Sequence, residues 1–266
     1  MDLASIARQV KELSQQVRTF IMGEFNGFDR DHVEYKGMND MVSYVDKTAE
    51  KMLVEKLSQI VPEAGFIAEE GTGEKKEGDW NWIVDPLDGT TNFIHGVPTF
   101  AISIALMDEE NVAFGLVHEL NLDECFYAYR GGGAYLNDKP MMVSKQTKLK
   151  KGLVATGFPF IDFVKMPQYM EILTDMMKHS HGLRRMGSAA VDMAYVAAGR
   201  FEGFFEYNLK PWDVAAGVIL VEEAGGNVTD FKGGTDHIFG KEMLAAAPGV
   251  HADMLKVIQH WWFDKE

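Results

Sequence analysis

The chain opens on a helical repeat of apolar positions. Leu3, Ile6, Ala7, Val10, Leu13, Val17, Phe20 and Ile21 recur at three- and four-residue steps, which predicts an amphipathic helix with one buried stripe. A second helical pattern covers about residues 43–60, through Val45, Ala49, Met52, Leu53 and Leu57, and stops before Pro62. The YKGMND segment between them reads as a loop. From Trp80 the period shortens to two, and β-rich runs at about 100–107, 112–118 and 125–130 predict an antiparallel meander. Gly131-Gly132-Gly133 and Asn137-Asp138 supply turn residues that tolerate positive φ, so the meander continues through 134–136 towards Val143. Beyond Lys145, Lys148, Lys150 and Lys151 the pattern changes. Strands at about 152–156, 202–207 and 243–247 alternate with helices at about 163–179, 188–198 and 212–224, the last closed by Gly225-Gly226. The expectation is an N-terminal α+β lobe, residues 1–150, joined to a C-terminal α/β lobe, residues 151–266.

Composition narrows what such a chain can do. Apolar residues make up 46% and charged residues 25%, the balance of a globular enzyme and not of a disordered or fibrous chain. Forty Asp and Glu against 26 Lys and Arg leave a net charge of −14, which repels nucleic-acid backbones and anionic membranes. Direct nucleic-acid binding is therefore not expected. The single cysteine, Cys125, excludes an internal disulfide framework and a cysteine-rich zinc site, and fits a reducing compartment. The first twenty residues lack the basic start and unbroken apolar core of a signal peptide, and no window reaches the ~18 apolar residues of a membrane span. A cytoplasmic location is the expectation.

The densest chemistry lies in Ile83-Val84-Asp85-Pro86-Leu87-Asp88-Gly89-Thr90-Thr91-Asn92, where a buried-type strand runs into two carboxylates three residues apart. Proline fixes the turn and glycine frees the backbone after it. Asp85, Asp88 and the Leu87 carbonyl offer the hard oxygens that Mg²⁺ prefers, and the amides of Gly89 and Thr90 can form an anion nest. The same string also serves as an Asp-Pro turn followed by an Asp/Thr cap. Glu69-Glu70 follows the apolar Gly65-Phe66-Ile67, as a strand-end carboxylate or a solvated pair. Asp213, after Pro211 and Trp212, opens a long apolar helix, as a metal ligand or a plain cap.

In order, Asp46, Glu69-Glu70, Asp85 to Thr90, Trp212-Asp213 and Gly225-Gly226 form a D…EE…DPLDGT…WD…GG series that resembles the inositol monophosphatase family of Mg²⁺-dependent, lithium-sensitive phosphatases. The likeness extends from the loop at Lys36 through Arg184-Arg185-Met186-Gly187-Ser188-Ala189-Ala190 to Gly226. It implies a layered αβαβα sandwich, a homodimer, and hydrolysis of inositol 1-phosphate or a related polyol phosphate. It further implies that Glu69, Asp85 and the Leu87 carbonyl hold one Mg²⁺, that Asp85, Asp88 and Asp213 hold a second, and that Glu69 serves a weaker third. Thr90, oriented by Asp46, maps onto the water-activating pair, and the amides of Gly89 and Thr90 onto the phosphate site. Gly187, Ala189 and Glu206, together with Asp88, map onto the substrate contacts. Other phosphate esters handled by relatives, such as fructose 1,6-bisphosphate, NADP or histidinol phosphate, stay open. So does a regulatory protein that docks to transcription machinery through Arg184-Arg185, a pair otherwise expected to be buried at a subunit interface. Lys36 reads as a lid residue or a surface lysine, His95 as a surface or packing residue, and Cys125 as a buried small residue.

Overall fold

The computed structural model describes residues 1–27, 33–37, 40–76, 80–109, 111–158 and 163–263. The first apolar stripe becomes α1 (Leu3–Phe25), whose N-terminus is capped by Asp2 accepting the Ser5 N–H at 3.1 Å. Next come β1 (Val33–Gly37) and β2 (Asp40–Ser43), an antiparallel pair where the sequence predicts a loop. Val33, Tyr35 and Val42 favour strand, a preference that Gly37 interrupts in the sequence pattern. Met38 and Asn39 of the expected lid lie outside the described residues, as does the Lys36 side chain. Ser43 then caps α2 (Tyr44–Ile60), in a capping box completed by Asp46.

The meander forms as expected. It comprises β3 (Gly65–Ala68), β4 (Trp80–Asp88), a short α3 (Thr90–His95), β5 (Ala101–Asp108), β6 (Asn111–Glu119), β7 (Glu124–Tyr129), β8 (Gly133–Leu136) and β9 (Lys139–Pro140). These strands make one seven-stranded sheet in sequence order, with β3 parallel to β4 and every later pair antiparallel. The second half contributes β10 (Leu153–Thr156), α4 (Met166–His179), β11 (Gly182–Arg184), α5 (Ala189–Ala197), β12 (Gly203–Tyr207), α6 (Pro211–Glu223), β13 (Asn227–Thr229), β14 (Glu242–Ala246) and α7 (Pro248–Trp262). Its five-stranded sheet has the order β11-β10-β12-β14-β13. Because β14 runs antiparallel to both neighbours, the sheet is mixed, and β11 and β13 add two strands to those read from the sequence. Strands β11 and β13, of three residues each, are too short to show a period.

Alternation along the strands divides the interior into three cores. On β4, Trp82 and Val84 face α1 and α2, with Ile6, Val10, Val17, Leu53 and Leu57. Ile83 points the other way, into a central core shared with α5 and α6. On the second sheet, Phe204, Met243 and Ala245 join that central core, whereas Phe205, Leu244 and Ala246 pack under α4 and α7 with Tyr169, Met176, Met254 and Trp262. The layers are therefore helix, sheet, helix, sheet, helix. Helix α5 is buried along its whole length, and α6 from Val214 to Val221, as expected of helices apolar on every face and clamped between two sheets. Among the described residues no helix is long and apolar enough to cross a membrane.

A close helix-to-sheet approach occurs at Gly115 of β6, where a Cβ would lie 2.6 Å from Ile219 Cγ2 and 2.7 Å from the Ala216 carbonyl oxygen of α6. Gly115→Ala is predicted to destabilise the protein by about 1–3 kcal/mol through overpacking, read as a lower Tm. An unchanged Tm would contradict this tight central layer.

Candidate active site

Asp85 and Asp88 lie three apart on β4, so a regular strand would send them to opposite faces. The pairing with β5 removes that conflict. Asp85 pairs with Ser103 and Asp88 with Ala101, so three steps on β4 match two on β5, and the extra residue makes a bulge at Pro86-Leu87. Proline suits the bulge because it has no N–H to give to the ladder. The turn is held by the Leu87 N–H, which donates to Asp85 Oδ1 at 2.9 Å. Both carboxylates now reach one point, and Asp213 joins them from the first turn of α6. One oxygen of each of the three lies within 4.8 Å of the others. The Lys210 N–H donates to Asp213 Oδ2 at 2.7 Å, while Ser188 Oγ and the Ala190 N–H donate to Asp88 Oδ2 at 2.6 and 2.7 Å.

Glu69 follows β3, whose Ala68 pairs with Val84, so its carboxylate comes beside Asp85. Buried Glu50 of α2 fixes the loop beyond it, accepting the N–H groups of Glu70 and Thr72, both at 2.7 Å. Asp85 is pushed well above the usual carboxylate range by burial first and then by the charges of Glu69, Asp88 and Asp213. Asp213 is raised by burial and by Asp88. Burial lifts Asp88 to about 6, despite the opposing hydrogen bonds from Ser188 and Ala190 and the positive charge of Arg185. A set of crowded, hard carboxylate oxygens fits a divalent cation, which would offset their repulsion.

Gly89 links β4 to α3 at φ +95, and a Cβ there would meet the Thr99 carbonyl oxygen at 3.0 Å, so glycine is required. The next residue, Thr90, has its hydroxyl 3.0 Å from Asp46 Oδ1 and 3.0 Å from the Leu87 carbonyl oxygen. Asp46 Oδ2 accepts the Ser43 N–H and hydroxyl at 2.9 and 2.5 Å, so the capping box of α2 also aims Asp46 at Thr90. Burial raises the Asp46 carboxyl, against the hydrogen bonds from Ser43 and Thr90.

The cleft so formed has a volume of about 380 Å³, and Glu69, Asp85, Leu87, Asp88, Gly89, Thr90, Gly187, Ala189, Glu206 and Asp213 all line it. Asp46 reaches it through Thr90. Asn92 ties its two sides, donating to the carbonyl oxygens of Thr99 at 2.7 Å and Met186 at 2.9 Å. Gly157 leaves room for Glu206, since a Cβ there would lie 2.0 Å from Glu206 Oε1. Sequence reasoning missed Glu50 and Asp192, and did not foresee the bonds that Asn92 and Ser188 make. The available signal for Asp192 was a lone carboxylate in the otherwise apolar AAVDMAYVA. Arg184 and Arg185 are both exposed in the single chain, and they diverge. Arg185 lines the acidic cleft, whereas Arg184 borders an adjacent apolar cavity of about 490 Å³ that Arg185 also touches. Cys125 is buried, with its thiol pushed up to about 12, in keeping with a packing role.

A five-layer sandwich with an acidic cleft between its sheets is the architecture of a particular family of enzymes. The chain belongs to the inositol monophosphatase family, whose description its residues 2–262 match. It is 46% identical over 224 residues to the putative Nus factor SuhB of Neisseria meningitidis, covering 84% of this chain and 86% of that protein. It is 41% identical over 228 residues to the inositol-1-monophosphatase of Mesorhizobium japonicum, covering 85% and 86%. The crystal structure of the extragenic suppressor protein suhB from Bartonella henselae superposes with a TM-score of 0.91 at 37% identity, over 96% of this chain and 98% of that one.

Glu206 carries a prediction about pH. Burial moves its carboxyl from about 4.5 up to about 8, with Arg185 opposing and Asp88 adding to the rise. Between those values the folded chain keeps a proton that the unfolded chain has lost, so stability from this residue falls as pH rises through the window. In metal-free buffer, the Tm of the wild type minus that of Glu206→Gln should decline from about pH 5 to pH 8 by at least about 3 °C, the worth of ~1 kcal/mol in a chain of this size. A pH-independent difference would refute the shift.

Proposed function

We propose that this protein is a Mg²⁺-dependent phosphatase that hydrolyses inositol 1-phosphate or a closely related polyol phosphate. The observation that carries this reading is the convergence of Asp85, Asp88 and Asp213 in the same cleft as the Thr90 hydroxyl, itself 3.0 Å from Asp46. Glu69, Asp85 and the Leu87 carbonyl would hold one cation, Asp85, Asp88 and Asp213 a second, and Glu69 would serve a weaker third. Bound cations supply positive charge against the phosphate and the departing alkoxide, and ease loss of a proton from water.

The remaining work falls to this chain's own groups. Thr90 donates its hydroxyl proton to Asp46 and is left with lone pairs that orient a water and accept a proton from it. The amide of Thr90 receives a phosphate oxygen. Gly89 shares its N–H between phosphate and the Asp88 carboxylate, to which it already donates. The water oxygen bonds to phosphorus in line as the ester P–O bond breaks, and the leaving oxygen takes up a proton to give the polyol and inorganic phosphate. Gly187, Ala189 and Glu206 hold the polyol at the far end, where Glu206 accepts hydroxyl protons. A second reading, a regulatory binding protein, draws on the name of the Neisseria relative and on the exposure of Arg184.

One assay separates the two: phosphate release from inositol 1-phosphate, fructose 1,6-bisphosphate and NADP, with and without Mg²⁺, for wild type and Asp88→Asn. The expected outcome is Mg²⁺-dependent release led by inositol 1-phosphate and lowered by about 10²-fold or more in the variant. Full turnover by Asp88→Asn at saturating Mg²⁺ would sink the site assignment. Release led by another ester would overturn the substrate, and none from any ester would move the reading to the binding protein.

A further inference from the structure

Seven carboxylic acids are buried among the described residues: Asp46, Glu50, Asp85, Glu119, Asp192, Glu206 and Asp230. Five have hydrogen-bond donors. Asp46 is served by Ser43 and Thr90, Glu50 by two loop amides, and Asp85 by the Leu87 N–H. Glu119 accepts the Leu122 N–H at 2.6 Å, and Asp230 the N–H groups of Lys232 and Gly234 at 2.8 and 2.7 Å. The other two, Asp192 and Glu206, make no side-chain hydrogen bond, and both line the acidic cleft. Asp192 is 1% exposed, and its Oδ1 is fully buried without a partner.

Buried carboxyls without donors are costly, and native chains keep few of them. Asp192 stands one turn inside α5, between Val191 and Met193, where any small apolar residue would pack without that cost. What it gains must come from a ligand. The charges that act on it are those of Glu206, Asp88 and Arg185, all of which line the cleft. Three carboxyls face one guanidinium there, so the complementary group is neutral and rich in hydroxyl donors, not a second phosphate.

We propose that Asp192 is a second polyol-binding carboxyl, which with Glu206 grips hydroxyls of the leaving group and sets the preference for polyhydroxylated esters. This rests on the reading of the cleft as a polyol phosphatase. Asp192 touches only the leaving group, so its removal weakens binding of a hydroxylated substrate and spares one that has no hydroxyls.

The test is steady-state kinetics with Mg²⁺ on inositol 1-phosphate and on p-nitrophenyl phosphate, which has no hydroxyl to recognise. Asp192→Ala should raise KM for the inositol ester about tenfold, the worth of one hydrogen bond, and leave KM for the aryl ester within about twofold. Asp192→Asn, which keeps an acceptor oxygen, should recover most of the loss. Should Asp192→Ala fail to fold, Asp192→Ser makes the same comparison. Equal KM changes for the two esters, or none, overturn the assignment while leaving the phosphatase reading intact. A wild type inert towards both esters removes the phosphatase reading, and this assignment with it.

Discussion

Mutual repulsion among Asp85, Asp88 and Asp213 is the constraint around which this molecule is organised. Burial pushes all three carboxyls above their ordinary range, and the neighbouring charges add to this at Asp85 and Asp213, so without compensation the folded state is penalised for holding them together. The scaffold offsets part of that penalty with fixed donors: Leu87 N–H on Asp85, Ser188 and Ala190 on Asp88, and Lys210 N–H on Asp213. These donors come from the β4 bulge and the starts of α5 and α6. The three carboxylates therefore meet only once the central helical layer is seated between both sheets, and completing the site amounts to completing the fold.

The same layer orders the cleft from end to end. At one end the capping box of α2 points Asp46 at Thr90, so a residue that starts a helix also sets a hydroxyl at the metal cluster. At the other, the start of α5 brings Ser188 and Asp192, and β12 brings Glu206. Asn92 ties the two sides by bonding to carbonyl groups on either flank, and Gly89 and Gly187 take the positive φ needed for that close approach. Polar groups that cost stability are concentrated where a ligand can repay them.

The two terminal-half patterns and the meander were legible because long apolar periods survive any tertiary context. What escaped was short or non-local. Strands β11 and β13 have three residues each, below any readable period, and the β1–β2 pair hides behind a glycine. The aspartates at 85 and 88 were visible as a motif, yet the reason they share a face is a bulge defined by pairing with β5, which sequence spacing alone contradicts. Glu50 acts through contacts 20 and 22 residues away, and Asn92 crosses the cleft through one 94 residues away, so neither bond has a local signature. Arg185 separates from Arg184 because adjacent residues leaving an edge strand face opposite ways.

Calorimetric titration of Mg²⁺ into the metal-free protein near neutral pH, repeated in buffers of different ionisation enthalpy and with Asp213→Asn, tests the central claim most directly. A bound cation favours the ionised form of carboxyls whose hold on a proton burial and crowding have strengthened, so binding is accompanied by proton release. The expected result is saturable binding accompanied by proton release, with affinity at least about tenfold weaker in the variant. Absence of saturable binding by the wild type, or the same isotherm in both proteins, would contradict a fold built to bring these three carboxylates around a metal.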